Sequence, residues 1–394
     1  MQGSIKERIR KMGKDATGKI RQNVKVYDVY FRCNDAVTGK RKSTSKRGFR
    51  TKSEAQAFLL DLNTKLQQNL YLPPKLMTVR EYLLNWLESY CKINLRRTTF
   101  DGYERIIRRH LNPHLGSYEI RNLKAFHIDE LYKLLLSEGR ADGKGGLSAK
   151  SVQYTHRVLS EALEHAVKKQ LIYYNPVKGA TAPKPTKYRG EILSADEILV
   201  LLEATKGTYF EIPVALAAIC GLRRGECLGL VVDDIDFEKQ MVRINKQMVD
   251  VGGEIFIEEP KSEDSNRMIS APPEVFEIIQ RHVEKNRQHK ELLAEEYNAQ
   301  QLLVCRIDGR PIRPSSFSKE FGIMLKSKGL KNVRFHDLRH SCASLMLTSG
   351  IALKTASQIL GHSSIGITAD LYTHVLEETK KDAAKQVGKT LFKK

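Results

Sequence analysis

Four short patches in the C-terminal half hold side chains able to do chemistry together. The first is Gly221-Leu222-Arg223-Arg224-Gly225-Glu226, following an apolar stretch. The second is Pro260-Lys261-Ser262, in an expected hairpin turn. His336-Asp337-Leu338-Arg339 falls within an expected helix, and Leu360-Gly361-His362-Ser363 is followed by Tyr372, ten residues after the histidine. Guanidinium forks offer fixed, paired donors that stay protonated, which suits an anion gathering charge in a five-coordinate state. Tyrosine titrates at about 10, so it becomes a nucleophile only beside a base and positive charge. Lysine can serve as an acid near neutral pH when neighbouring cations lower its pKa. Such a set suits displacement at a phosphodiester.

Taken singly, each patch has a plainer reading. Arg223 could be a surface charge or a partner of Glu226 three residues on, and Lys261 a solvated turn residue. His336 and Arg339, at i and i+3, could be a structural pair on one helix face. Tyr372 could be core or interface. His336 and His340, at i and i+4, also have the spacing of two metal ligands, with His362 as a third. The metalloprotease pattern, however, needs Glu after the first histidine, and Asp337 stands there. Arginines on both sides of the site favour an anion, so no metal is expected. There is no Walker motif, and no ATP or other cofactor is expected.

These patches need elements to hold them. The region from 190 to the end opens on a capping box, Ser194-Ala-Asp-Glu197. It mixes helices with strands expected at Met241–Val249, Glu254–Glu258 and Asn266–Ala271. Residues 77–178 read as all helical. Thr78-Val-Arg-Glu81 is a capping box before an apolar stripe of Val79, Tyr82, Leu83, Trp86, Leu87 and Tyr90, and further helices are expected near 98–110, 127–137 and 149–170. Residues 1–72 read as a small module. Strands are expected at Lys25–Phe31, near Lys42 and at Gly48-Phe49. A helix with Ser53 as N-cap follows to about Gln68, with Ala57, Leu60 and Leu66 among its apolar positions, and residues 1–24 are expected to be flexible. The expectation is thus a multidomain protein: an α+β module (1–72), an all-α domain (77–178) and a mixed α/β, mostly helical domain (190–394).

Charge points to a polyanion. The formal net charge is +20, and the segment from Met1 to Leu70 holds 17 lysines and arginines against 6 carboxylates. Nucleic acid is the first reading of such a basic segment, a membrane surface the second, and a solubility tail the plain one. Lys40, Arg41, Lys42, Lys46 and Arg47 are candidate DNA contacts in the module. Arg96, Arg97, Arg108 and Arg109 are candidates in the helical domain, where they are equally consistent with a solvated face. The six cysteines are scattered without a CxxC pair, and no apolar run is long enough to cross a bilayer. The N-terminus lacks the pattern of a signal peptide, so a cytoplasmic protein without a membrane partner is expected.

In order, Arg, Lys, His-x-x-Arg, His and Tyr resemble the tyrosine recombinase family, which includes phage integrases. The resemblance covers essentially all of 190–380, and the N-terminal layout is closest to integrases of conjugative transposons. It implies that Tyr372 attacks the scissile phosphate to leave a 3′-phosphotyrosyl bond. Arg223 and Arg339 would then hold the non-bridging oxygens, Lys261 would protonate the leaving 5′ oxygen, His336 would assist proton transfer, and His362 would hydrogen-bond the phosphate. Glu226 would brace Arg223. The resemblance further implies double-stranded DNA with core and arm-type sites, a homotetramer, an excisionase and a host DNA-bending protein. It also implies a tail after Tyr372 that packs on a neighbour, with packing in cis the alternative. A type IB topoisomerase and a catalytically silent DNA-binding regulator are the competing readings.

Overall fold

The structure is a computed structural model that describes residues 3–10, 24–34, 41–67, 77–186, 190–260, 266–293, 297, 300–361 and 364–372. The chain divides into two compact units, residues 1–186 and 187–394.

The first unit contains two separate cores. Near the N-terminus, β1 (Ser4–Arg10), β2 (Val24–Asn34) and β3 (Arg41–Phe49) form an antiparallel sheet in the order β1-β2-β3, followed by α1 (Lys52–Gln67). Three expectations change here. Ser4–Arg10, expected to be flexible, pairs with β2 from Ser4 opposite Tyr30 to Arg10 opposite Val24. Its charged residues do not alternate with apolar ones because it is an edge strand, made by pairing rather than burial. The strands expected near Lys42 and at Gly48-Phe49 are one strand, carried past a bulge where the Gly48 amide donates to Asp28 (2.9 Å). Helix α1 is capped by Thr51, not Ser53: Thr51 Oγ1 accepts from the Glu54 amide (3.2 Å), as an N-cap hydroxyl does. The helix buries Ala55 and Leu62 with Phe58 and Leu59 beside them, leaving Ala57 and Leu60 exposed, while the Leu66 side chain lies outside the described residues.

The second core of this unit is all helical. Helix α2 (Val79–Trp86) continues through a π turn, Leu87–Cys91, and α3 (Arg97–Ile106) through another, Ile107–Leu111; α4 (Ala125–Glu138) and α5 (Ala149–Lys168) complete the bundle. The Thr78–Glu81 capping box forms, the amide of Glu81 donating to Thr78 Oγ1 (3.2 Å) and that of Thr78 to Glu81 Oε2 (2.8 Å). The expected stripe is buried, apart from a half-buried Tyr90, and Trp86 stacks with both Tyr90 and Tyr103.

The second unit runs α6 (Ala195–Thr205), α7 (Glu211–Ile219), α8 (Arg224–Gly229), β4 (Ile235–Asp236), β5 (Met241–Ile244), β6 (Gln247–Val251), β7 (Glu254–Glu258) and β8 (Arg267–Ser270). Helices α9 (Pro273–Leu293), α10 (Pro314–Ser327), α11 (Phe335–Thr348), α12 (Leu353–Leu360) and α13 (Ile365–Tyr372) follow. The tail expected after Tyr372 lies outside the described residues. The Ser194–Glu197 capping box forms as expected. The strand expected over Met241–Val249 is two strands in different sheets, β4-β5-β8 and β6-β7. The chain changes sheets at Asn245-Lys246, where the Lys246 ammonium pairs with the buried Asp234 (3.1 Å). β7 pairs with β6 and β8 with β5, so the strands on either side of Pro260-Lys261-Ser262 are not partners of one another, as the expected hairpin required. Lys261 and Ser262 themselves lie outside the described residues.

Candidate active site

Helix α7 is buried along almost its whole length, and its end fixes the first patch. The Cys220 amide donates to Leu216 O (3.1 Å) and the Leu222 amide reaches back to the same oxygen (3.1 Å). Between them Gly221 has a φ of +72°. This is the left-handed conformation that such a helix stop requires. A Cβ there would also lie 2.3 Å from Leu360 Cδ2, so only glycine lets this loop meet the end of α12. The stop delivers Arg223 to the N-cap position of α8. Glu226, three residues on and buried, accepts both the Arg223 amide (2.8 Å) and its Nη1 (2.7 Å). Glu226 therefore holds Arg223 by both its backbone and its guanidinium.

Helix α11 begins on a second clamp. Arg334 bonds Asp337 through its backbone amide (3.0 Å) and through Nη2 (2.8 Å). Asp337 is fully buried in this cap, not presented as a base beside His336. One turn into the helix, Arg339 is only 2% exposed. Its Nη1 donates to Gly221 O (2.6 Å) and its Nη2 to Leu360 O (2.5 Å). Burial and the nearby Arg223 lower its pKa to about 9, which leaves it protonated at neutral pH. His336 is exposed as a residue, and its ring packs edge-to-face on His340 with centroids 4.8 Å apart. Desolvation by the surrounding protein, then His340 and Arg339, hold its pKa well below the ordinary value. The imidazole is therefore neutral at neutral pH and able to accept a proton.

The third wall is the end of α12. Gly361 closes the helix in the left-handed conformation (φ +62°), and its carbonyl accepts from Arg223 Nη2 (2.6 Å). Arg223 and Arg339 thus converge on consecutive carbonyls, Gly361 and Leu360. Beyond them His362 lies outside the described residues. Tyr372 is the last residue of α13, so its backbone is placed while its side chain is not described. Of the six expected catalytic residues, the structure brings Arg223, His336 and Arg339 together.

Sequence reasoning missed Arg267. Its side chain is 8% exposed, its Nε donates to Ile359 O (2.8 Å), and its Nη2 meets Glu226 Oε2 (3.1 Å). Burial pushes the Glu226 carboxyl up, but Arg267 and Arg223 outweigh it and hold the group below its usual range. One signal was available. In the strand Arg267–Ser270, period two puts Arg267 on the side of the buried Ile269, and a charge on an inward face needs a partner.

Residues 191–379 match the phage integrase family, and residues 78–136 match the SAM-like N-terminal domain of phage integrases. The chain belongs to the tyrosine recombinase family. Residues 17–66 of this recombinase match an arm DNA-binding domain. It is 28% identical over 358 residues to a XerC-like tyrosine recombinase of Caldanaerobacter subterraneus subsp. tengcongensis, covering 86% of this chain and 90% of that protein. In fold it resembles the Tn1549 transposon integrase in complex with a circular intermediate DNA (TM-score 0.65, 22% identity, 79% of this chain and 99% of that one). It also resembles a lambda integrase tetramer bound to a Holliday junction (TM-score 0.52, 20% identity, 87% of this chain and 92% of that one). The recombinase breaks and rejoins DNA strands at specific sites, serving a mobile element.

The basic residues expected to meet DNA are placed unevenly. Lys40 lies outside the described residues, and Arg41 and Lys42 are placed in β3 by backbone alone. Lys46 and Arg47 are exposed, with the Lys46 ammonium 4.7 Å from the centre of the Phe58 ring. Arg96 and Arg97 are exposed at the start of α3, and Arg108 and Arg109 are exposed within its π turn. Among the described residues no helix is long and apolar enough to cross a membrane.

Proposed function

We propose that this recombinase cleaves a DNA strand by attack of the Tyr372 phenolic oxygen on the scissile phosphorus. A phosphotyrosyl bond forms to the 3′ side and the bond to the 5′ oxygen breaks. Neutral His336 takes the phenolic proton, Lys261 gives a proton to the departing 5′ oxygen, and His362 hydrogen-bonds a non-bridging oxygen. Arg223 and Arg339 neutralise charge on the equatorial oxygens, the kind of fixed electrostatics that usually supplies the largest catalytic contribution. Each guanidinium carries five N–H donors and uses two on the bonds described above, so the forks are oriented before substrate arrives. Attack by a DNA 5′-hydroxyl on the phosphotyrosine reverses the step and frees Tyr372, which conserves the bond without ATP.

The observation that carries this reading is the convergence of Arg223 and Arg339 on the end of α12, at the start of the segment leading to Tyr372. We assign arm-site binding to residues 1–72, core-site binding to 77–178 and chemistry to 190–394. Lys40, Arg41, Lys42, Lys46 and Arg47 would contact the arm site, and Arg96, Arg97, Arg108 and Arg109 the core site. The fold likeness to the lambda tetramer supports a homotetramer on a Holliday junction. An excisionase and a host DNA-bending protein would be its accessory partners, in the cytoplasm.

The test is trapping on a nicked core-site duplex from the element's own junction, in EDTA, with wild type and Tyr372→Phe. A denaturation-resistant 3′ adduct that disappears in Tyr372→Phe is expected. Binding without any adduct would overturn the reading and favour a DNA-binding regulator.

A further inference from the structure

The last carbonyls of a helix have no partner within it and carry the negative end of its dipole. At the end of α12 three consecutive carbonyls are each met by a different arginine. Arg267 Nε donates to Ile359 O (2.8 Å), Arg339 Nη2 to Leu360 O (2.5 Å) and Arg223 Nη2 to Gly361 O (2.6 Å). Two of these arginines are the proposed phosphate ligands. The third, Arg267, is 8% exposed and turned inward, so it is not placed to meet DNA. It also shares Glu226 with Arg223: its Nη1 and Nη2 lie 3.3 and 3.1 Å from the two carboxylate oxygens. Arg267 is thereby tied at one end to the α12 terminus and at the other to the carboxylate bracing Arg223.

We infer that Arg267 is a positioning residue for strand cleavage, fixing the end of α12 against Arg223 and Arg339. The chain from that end leads through His362 to Tyr372, so a shift of the Ile359–Gly361 carbonyls moves the nucleophile's segment relative to the phosphate. Glutamine at 267 cannot hold both Ile359 O and Glu226 and leaves the carboxylate short of a cation. Lysine restores the charge but not the fork. The inference rests on Tyr372 being the nucleophile.

The experiment compares wild type, Arg267→Gln and Arg267→Lys on the nicked core-site duplex, measuring core-site affinity and single-turnover adduct formation at saturating DNA. For Arg267→Gln, affinity within about threefold of wild type is expected, with a rate lower by roughly ten- to hundredfold, the penalty of a small misplacement. Arg267→Lys should recover part of the rate. An unchanged rate in Arg267→Gln would overturn the inference. So would a rate in both variants that falls only in step with affinity, since that is the mark of a general folding defect. If Arg267→Gln does not fold, Arg267→Lys decides alone: a slower adduct at unchanged affinity supports the role, and a wild-type rate overturns it. Absence of an adduct in wild type would count against the Tyr372 reading instead.

Discussion

Arg339 shows how burial and charge are reconciled at one side chain. It is almost wholly enclosed, yet its fork lies on two backbone carbonyls, Gly221 O and Leu360 O, that would otherwise be orphaned. Lysine at this position reaches one carbonyl at a time. Arg339→Lys is expected to destabilise the catalytic domain by about 1–3 kcal/mol, the penalty of an unsatisfied buried polar group. It should slow adduct formation by roughly 10²–10³-fold, as when one fixed transition-state donor is lost. Urea melts and single-turnover trapping read the two effects, and a wild-type rate in a destabilised protein would separate them against us. His336 gives a pH prediction. Its folded pKa is depressed, so the stability its neutral ring contributes is complete above the unfolded value of about 6.5 and is lost as pH falls from there. His340 is shifted the same way and acts in the same window. Melting wild type and His336→Asn between pH 7.5 and 5.5 should show wild type losing more; parallel curves would mean the ring is not held neutral. Arg223, His336 and Arg339 were legible because each sits in a patch with recognisable neighbours. Arg267 was not, because its meaning lies in carbonyls that come to it only through the fold.

At the scale of elements, the two capping boxes were legible, while the cap of α1 and the choice of strand partners were not. The Thr78–Glu81 and Ser194–Glu197 boxes are local chemistry, with donor and acceptor three residues apart, and both form. Strand β1 escaped because its residues carry no burial pattern; only pairing with β2 makes it a strand. The face of α1 was misread because Ala57 and Leu60 are apolar but off the Ala55–Phe58/Leu59–Leu62 stripe. The change of sheet at Asn245-Lys246, where Lys246 pairs with the buried Asp234, leaves no mark in the alternation of Met241–Val249, which reads as one strand. Where two elements abut, a substitution tests both. Gly221→Ala forces a left-handed alanine, costing about 1–3 kcal/mol, and drives a methyl into Leu360. Leu360→Ala alone opens a cavity at a fully buried site, which costs about 2–5 kcal/mol. Together they should cost less than the sum by about 1 kcal/mol, since the methyl enters space the leucine has left. Strict additivity in chemical melts would show that the α7 stop and the α12 end do not press on one another.

Over the whole molecule, the surplus of positive charge is concentrated near the N-terminus. The segment from Met1 to Leu70 holds 17 of the 66 lysines and arginines against only 6 of the 46 carboxylates, leaving 49 against 40 for the rest of the chain. The segment's small core, built on Val29, Phe31, Ala55 and Leu62, is separate from the helical core of residues 77–177. A module with its own core and a large surplus of positive charge can leave without unpacking its neighbour. Deleting residues 1–70 is therefore expected to preserve adduct formation on a core-site duplex. Affinity for DNA carrying arm sites should fall, and with it the salt dependence. Each lost phosphate contact should flatten the slope of log K against log salt by roughly 0.9. Binding titrations across a salt series, run beside trapping assays on the same preparations, measure both. An unchanged slope would mean the basic segment is only a solubility tail. Loss of cleavage from a truncated protein that still melts cooperatively would mean the module takes part in chemistry at the core, and the division of labour would have to be redrawn.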